Sequence, residues 1–221
     1  MLNKKLSRSN ISAVIEQYVT DNTGIALNMV VIGANNGMIQ DFLTPYLLYP
    51  NIKSLLVEPV KQLYTELQLR FSGFKNVHIE NAAVYKKNGK KAIYHLECDT
   101  TLPYWAAGIG SFDKATVLAH ADQITGLDNH LQKEIVNCIT YAKLLAKHGF
   151  TEVDILQIDT EGYDYEIIKS IDFENLRPYV IIFEILHLTL YDYHSVIDFL
   201  KKRSYKIFDS HNSYDLIAIS K

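Results

Sequence analysis

Asp159 and Glu161 follow the apolar run Val153–Ile158, and Glu184, with His187 three residues on, ends the apolar run Tyr179–Phe183. Carboxylates at the C-terminal edge of a buried strand face the ligand crevice of an open α/β sheet. The bland reading is that Asp159 caps the following helix and Glu161 is solvated. If the two strand ends adjoin, His187 can accept a proton near neutral pH, because a neutral imidazole needs no special tuning there. Asp159 and Glu161 then orient an acceptor. Together with Glu184 they also form an oxygen ligand set for a divalent cation such as Mg2+.

A second group lies near the start of the chain. Met29-Val30-Val31-Ile32 leads into Gly33-Ala34-Asn35-Asn36-Gly37, and the next apolar run, Ser54–Val57, ends in Glu58. A strand, a glycine turn and a second strand ending in an acid suit a nucleoside, with the acid on the two ribose hydroxyls. Two-glycine turns are common in α/β domains. The dinucleotide fingerprint needs a third, middle glycine, and Asn35 stands there instead. Polar Asn35 and Asn36 suit a ligand with an amino-acid end and no phosphate, which points to S-adenosylmethionine rather than NAD.

These residues need a sheet to position them. Ile11, Val14, Ile15, Tyr18 and Val19 recur at helical spacing and predict a helix within an N-terminal extension, 1–27. Met38–Tyr49 reads as a helix, and so does the stripe Val60, Leu63, Tyr64, Leu67, Phe71, which Gly73 stops. Val77–Tyr85 reads as one strand with the small residues Ala82 and Ala83 at its end, where a flat ring has room. The turn signal Lys87-Asn88-Gly89-Lys90 followed by Ala92–Leu96 suggests a hairpin. Residues 97–132 lose periodicity yet carry Trp105, the sole tryptophan, among glycines, with Ser111 nearby. They are expected to cap the substrate site, with Trp105, Ser111 and, from the strand end, Glu184 facing the substrate. Ile135–Thr140 reads as a short strand, and two further strands close the chain as an antiparallel pair. The alternation predicts a single doubly wound α/β domain, 1–221, with a mostly parallel seven-stranded sheet and a terminal antiparallel hairpin.

Bulk properties narrow the function classes. The chain has 221 residues, 48% hydrophobic and 21% charged, with net charge −3, which speaks against a domain built to hold nucleic acid. Lys86, Lys87, Lys90 and Lys91 read as a solvated turn. Cys98 and Cys138 show no CxxC spacing, so reduced structural thiols and a cytoplasmic location are the defaults. No apolar run is long enough to cross a membrane.

Taken together, Val31–Gly37, Val57-Glu58-Pro59, Asn81–Val84, Gly110-Ser111-Phe112, Ile155–Tyr163, and Arg177-Pro178 with Glu184 and His187 resemble the FkbM-type S-adenosylmethionine-dependent methyltransferases. Relatives often carry Asp where Val31 stands. The resemblance implies a Rossmann-like class I fold and O-methylation of a sugar, glycan precursor or natural product. By position it implies Gly33, Ala34, Asn35, Asn36 and Gly37 around the methionine end, with Asp159 nearby. Glu58 would meet the ribose and Ala82 and Ala83 the adenine. Two other functions share these residues: a NAD-dependent oxidoreductase, which lacks a Tyr-x-x-x-Lys pair here, and a non-catalytic nucleoside-binding protein of the same fold. The acceptor, small molecule or glycan, and the oligomeric state are not specified by the sequence. Glu58→Ala is expected to weaken cofactor binding without disturbing the fold.

Overall fold

The computed structural model describes residues 8–38, 43–47, 49–97, 101–210 and 214–221. Cys98 and the side chain of Ile11 lie outside the described residues. The chain opens with α1 (Arg8–Asp21), β1 (Leu27–Ile32), a single helical turn α2 (Thr44–Leu47) and β2 (Ile52–Val57). Next come α3 (Lys61–Phe71), β3 (Val77–Glu80), β4 (Ala83–Val84), β5 (Gly89–Leu96), a 3-10 turn over Tyr104–Gly108, β6 (Gly110–Ser111), α4 (Lys114–Leu118), α5 (Leu127–His130) and β7 (Leu131–Ile139). The last third runs α6 (Tyr141–Lys147), β8 (Ile155–Ile158), α7 (Asp164–Lys169), β9 (Val180–Glu184), α8 (Leu190–Lys201), β10 (Tyr205–Asp209) and β11 (Asp215–Ser220).

Seven strands form one sheet in the order β10-β11-β9-β8-β1-β2-β3, with β11 antiparallel to both neighbours and the remaining pairs parallel. This is the α/β fold and mostly parallel seven-stranded sheet expected from the sequence. Residues alternate between its faces along each strand. Val30 and Ile32 of β1 pack on one side with Leu144 of α6, Ile168 of α7 and Leu200 of α8. Met29 and Val31 pack on the other with Ile15 of α1, Leu47 of α2 and Leu67 of α3. The N-terminal helix is tied down: Tyr18 donates to Asp154 Oδ1 (2.8 Å), whose other oxygen accepts the Asn28 N–H (2.7 Å), and the Tyr18 ring stacks on Tyr179.

Four expectations need correction. Of Met38–Tyr49, only Thr44–Leu47 is helical among the described residues, opened by Pro45 in the first turn, where its missing N–H costs nothing; positions 39–42 and 48 lie outside the described residues. Val77–Tyr85 is two strands, because the chain leaves the main sheet after β3 and β4 joins a second sheet, ordered β4-β7-β5-β6. No hairpin forms between β4 and β5. Instead β5 runs antiparallel to β7 from Gly89–Cys138 to Leu96–Leu131. β7 is longer than the short strand expected, since its first half is half-exposed and carries no apolar run.

The segment between β5 and β7 has its own small core of Leu96, Ala106, Ile109, Val117, Ile124 and Leu127. No described helix is long and apolar enough to cross a membrane. Cys138 is a free, buried thiol.

Candidate functional site

The strand order reverses at β1 and β8, the switch point where open α/β sheets bind ligands. A cavity of about 580 Å³ opens there, lined by Gly33, Asn35, Glu58, Asp159, Glu161 and His187 among others. β1 and β8 separate β2 from β9, so Glu58 and Glu184 mark opposite ends of the site, roughly 14 Å apart at three strand spacings.

The turn after β1 is knitted to its neighbours by backbone bonds. Gly33 and Ala34 N–H both donate to Val57 O (3.0 Å each), and Asp159 N–H donates to Ile32 O (2.9 Å). Gly33 adopts φ +83°, and a Cβ there would lie 1.7 Å from the Asp159 carbonyl oxygen. Only glycine lets these strand ends meet.

Glu58 sits 4% exposed. Its Oε2 accepts the Asn35 N–H (2.9 Å) and its Oε1 the Val60 N–H (2.8 Å). Burial pushes its pKa up to about 7, even though both backbone bonds favour the charged form. Asn81 fixes the following backbone by donating to the carbonyls of Glu58 and Pro59 (2.9 and 3.0 Å). Ala82 and Ala83 line the cavity where the chain crosses between the two sheets.

Ala34, Asn36 and Gly37 do not line it. Ala34 is buried. Asn36 turns to α3, its amide donating to Glu66 Oε2 (3.0 Å) and its carbonyl accepting from Arg70 Nε (3.0 Å). Gly37 abuts the same helix, since a Cβ there would lie 2.7 Å from the Phe71 ring. These residues hold the turn against α3.

At the end of β8, Glu161 adopts φ +52° and Gly162 φ +104°, a left-handed backbone unfavourable for glutamate. Ser111 steadies it: its hydroxyl donates to Glu161 O (2.8 Å) and accepts from Asp113 N–H (3.2 Å). Ser111 is therefore buried behind the site and does not line the cavity. Asp164, fully buried, bridges the two strand ends by accepting from the Thr160 hydroxyl (2.8 Å) and the Glu184 N–H (3.3 Å). Burial lifts its pKa to about 6 against the Thr160 bond. Burial, followed by the charges of Asp159, Glu161, Asp164 and Asp215, pushes the Glu184 carboxyl far above the ordinary carboxylate range. This end of the cavity therefore favours cationic groups.

The predicted convergence is present. The acidic atoms of Asp159, Glu161 and Glu184 lie within 4.8 Å of one another, and His187 Nε2 lies 2.8 Å from Glu161 Oε2. That pair is close enough for ion pairing but misaligned for a hydrogen bond, so neither atom has a hydrogen-bond partner among the described residues. The segment between β5 and β7 covers the site, lining it with Trp105 and His120. The His120 ring packs between Trp105 and His187, at 6.1 and 5.2 Å, and burial holds its pKa below the usual histidine value.

His120 and Asp164 escaped the sequence reading. No spacing relates His120 to His187, and an aperiodic segment carries no face on which to place it. Asp164 was legible as an acid opening a helix, but nothing in the sequence marks its burial.

The sequence profile of a family described as Methyltransferase FkbM domain matches residues 32–207. Among solved structures, methyltransferase FkbM from Methylobacillus flagellatus KT aligns at TM-score 0.53 and 11% identity, covering 88% of this chain and 43% of that one; this chain thus spans less than half of that protein. The METTL16 MTase domain aligns at TM-score 0.51 and 9% identity, covering 97% of this chain and 68% of that one. Precorrin-6y C5,15-methyltransferase from Geobacter metallireducens GS-15 aligns at 0.48 and 16%, covering 100% and 93%. At these identities the first two structures, both above a TM-score of 0.5, speak for the fold alone. No curated protein matches the sequence.

Proposed function

We propose, from the premise that the chain belongs to the FkbM methyltransferase domain family, that it transfers a methyl group from S-adenosylmethionine to a hydroxyl of a small-molecule or glycan acceptor. The observation that carries this reading is Glu58, a buried carboxylate in the cavity wall with one N–H on each oxygen. A carboxylate oxygen accepts two hydrogen bonds, so one position on each remains for a vicinal diol such as a ribose.

The residues present fit the cofactor. Gly33, Asn35 and Asp159 border the centre of the cavity, Ala82 and Ala83 leave flat space on the Glu58 side, and the acidic end of the site suits a sulfonium. The cofactor supplies an electrophilic methyl carbon: the acceptor oxygen bonds to it as the carbon–sulfur bond breaks, and the electron pair stays on sulfur. This chain supplies position, which accounts for much of the acceleration in such a displacement. The acceptor enters beside Trp105, and its hydroxyl proton passes to solvent along the face formed by Asp159, Glu161 and His187.

Saturating adenosylhomocysteine, at about 100 times its dissociation constant, should stabilise the protein by roughly 2.7 kcal/mol. For a chain of this length that raises Tm by roughly 5–11 °C in a thermal shift experiment. An unmoved Tm together with a rise on adding NADH would replace this reading with the oxidoreductase.

The Glu58 pKa adds a pH signature. Hydroxyls need the ionised carboxylate as acceptor, and below about pH 7 the free site is increasingly protonated. Adenosylhomocysteine affinity should therefore fall roughly tenfold between pH 8 and pH 6, measured by calorimetry. Glu58→Gln should flatten that profile; a flat profile in the unaltered protein would remove Glu58 from the ligand.

A further inference from the structure

We propose that His120, His187 and Glu161 form a binding site for one first-row divalent transition metal ion, of which zinc is the representative, at the cavity wall beneath Trp105. A ring nitrogen of each histidine and a carboxylate oxygen of Glu161 lie within 4.8 Å of one another. Nε2 of His120, Nε2 of His187 and Oε2 of Glu161 are closed to solvent and lack a hydrogen-bond partner among the described residues. His120 is 8% exposed as a whole residue.

A buried polar atom without a hydrogen bond costs about 1–3 kcal/mol, and the ion-pair contact of His187 Nε2 with Glu161 Oε2 leaves His120 Nε2 outside it. All three atoms are closed to bulk solvent. A metal ion would satisfy all three, since its bonds to nitrogen and oxygen are about 2.0–2.2 Å long. Tetrahedral coordination at such lengths sets ligand atoms roughly 3.4 Å apart. His187 Nε2 and Glu161 Oε2 are already 2.8 Å apart, so side-chain shifts on the order of 1 Å close the set. The ligand atoms thus come from three separate parts of the chain: the segment between β5 and β7, the end of β8 and the loop after β9.

Two imidazoles and one carboxylate select the ion. Imidazole suits zinc, copper, iron and nickel, whereas magnesium takes oxygen ligands. The alternative set of Asp159, Glu161 and Glu184 is all oxygen and shares Glu161 with this one. Three protein ligands leave a coordination position for a ligand from the cavity. On the methyl-transfer reading, on which this consequence rests, an acceptor hydroxyl takes that position. The ion then lowers its pKa, so that the proton passes to solvent before the methyl group is transferred.

The test uses tag-free protein stripped with a chelator and titrated with Co2+, Zn2+ or Mg2+ alone. Co2+ should bind at one equivalent with visible ligand-field bands that Zn2+ abolishes and millimolar Mg2+ leaves unchanged. His120→Gln and Glu161→Gln should each weaken binding by at least about 100-fold, the upper end of the loss seen even for residues behind the ligands. Should either variant fold poorly, the unaltered protein still decides. Absence of one-equivalent Co2+ binding, equal competition by Mg2+, or full affinity in folded His120→Gln overturns the site. Adenosylhomocysteine affinity of the stripped protein separates the two proposals. Retained affinity without metal binding removes only the metal site. Metal binding without nucleoside affinity removes the cofactor reading instead.

Discussion

Gly33→Ala should unfold the protein at markedly lower temperature and abolish nucleoside binding. The new Cβ would lie 1.7 Å from the Asp159 carbonyl oxygen, well inside van der Waals contact, and that obstacle is backbone that cannot swing aside. The ends of β1 and β8 must separate, breaking the bond from Asp159 N–H to Ile32 O. Overpacking of this kind costs about 1–3 kcal/mol or more, and left-handed backbone adds about 1–2 kcal/mol for a residue with a Cβ. A loss of roughly 4 kcal/mol lowers Tm by roughly 8–16 °C in a chain of this size. Gly73→Ala is the control: nothing lies within 4 Å of where its methyl group would stand, so Tm should hold or rise slightly. If the two variants melt alike, the turn does not close as described.

Glu58→Ala should cost both ligand and fold. Losing the charge-assisted bonds to a diol, about 1.5–3 kcal/mol, weakens adenosylhomocysteine binding by roughly 10- to 150-fold. The sequence alone suggested that the fold would be spared. The structure corrects that expectation, because the buried N–H groups of Asn35 and Val60 lose their acceptor. Each orphaned donor costs about 1–3 kcal/mol, so a combined destabilisation of roughly 2–6 kcal/mol is expected in denaturant melts. The carboxylate is itself under pH control. Its folded pKa of about 7 lies above the ordinary 4.5, so the folded state holds its proton more tightly than the unfolded one. This contribution to stability is full below about pH 4.5 and is lost as pH rises through about 7. The ligand-free fold and the ligand therefore prefer opposite sides of that transition. A Glu58→Ala protein that melts like the unaltered one would show the two N–H groups satisfied elsewhere.

The elements buried on both faces were legible because their apolar runs are continuous: β1, β2, β8 and β9 needed only composition and flanking turns. Glu58 and Asp159–Gly162 followed, since a strand end fixes where its next residue stands. β7 was only partly legible: Gln132, Lys133 and Ile135 in its first half are exposed, and its partner β5 is remote in sequence. Ser111 was marked by its glycine neighbour, but its contact with the Glu161 carbonyl depends on the second sheet. His120 depends on the same sheet, which local pattern does not reveal.

The pairing of Leu96 with Leu131 brings the two ends of the capping segment side by side on a rigid base. A segment anchored this way can be exchanged between related proteins as a cassette. Loop-closure entropy changes only slowly with its length, and Ala106, Ile109, Val117, Ile124 and Leu127 travel with it, to close on Leu96 at the end of β5. A tie to the main body would have to be kept in such an exchange, the bond from the Ser111 hydroxyl to Glu161 O (2.8 Å). On the methyl-transfer reading, a graft spanning residues 97–130 that keeps Ser111 should alter the side of the cavity lined by Trp105 and His120 while leaving Glu58 in place.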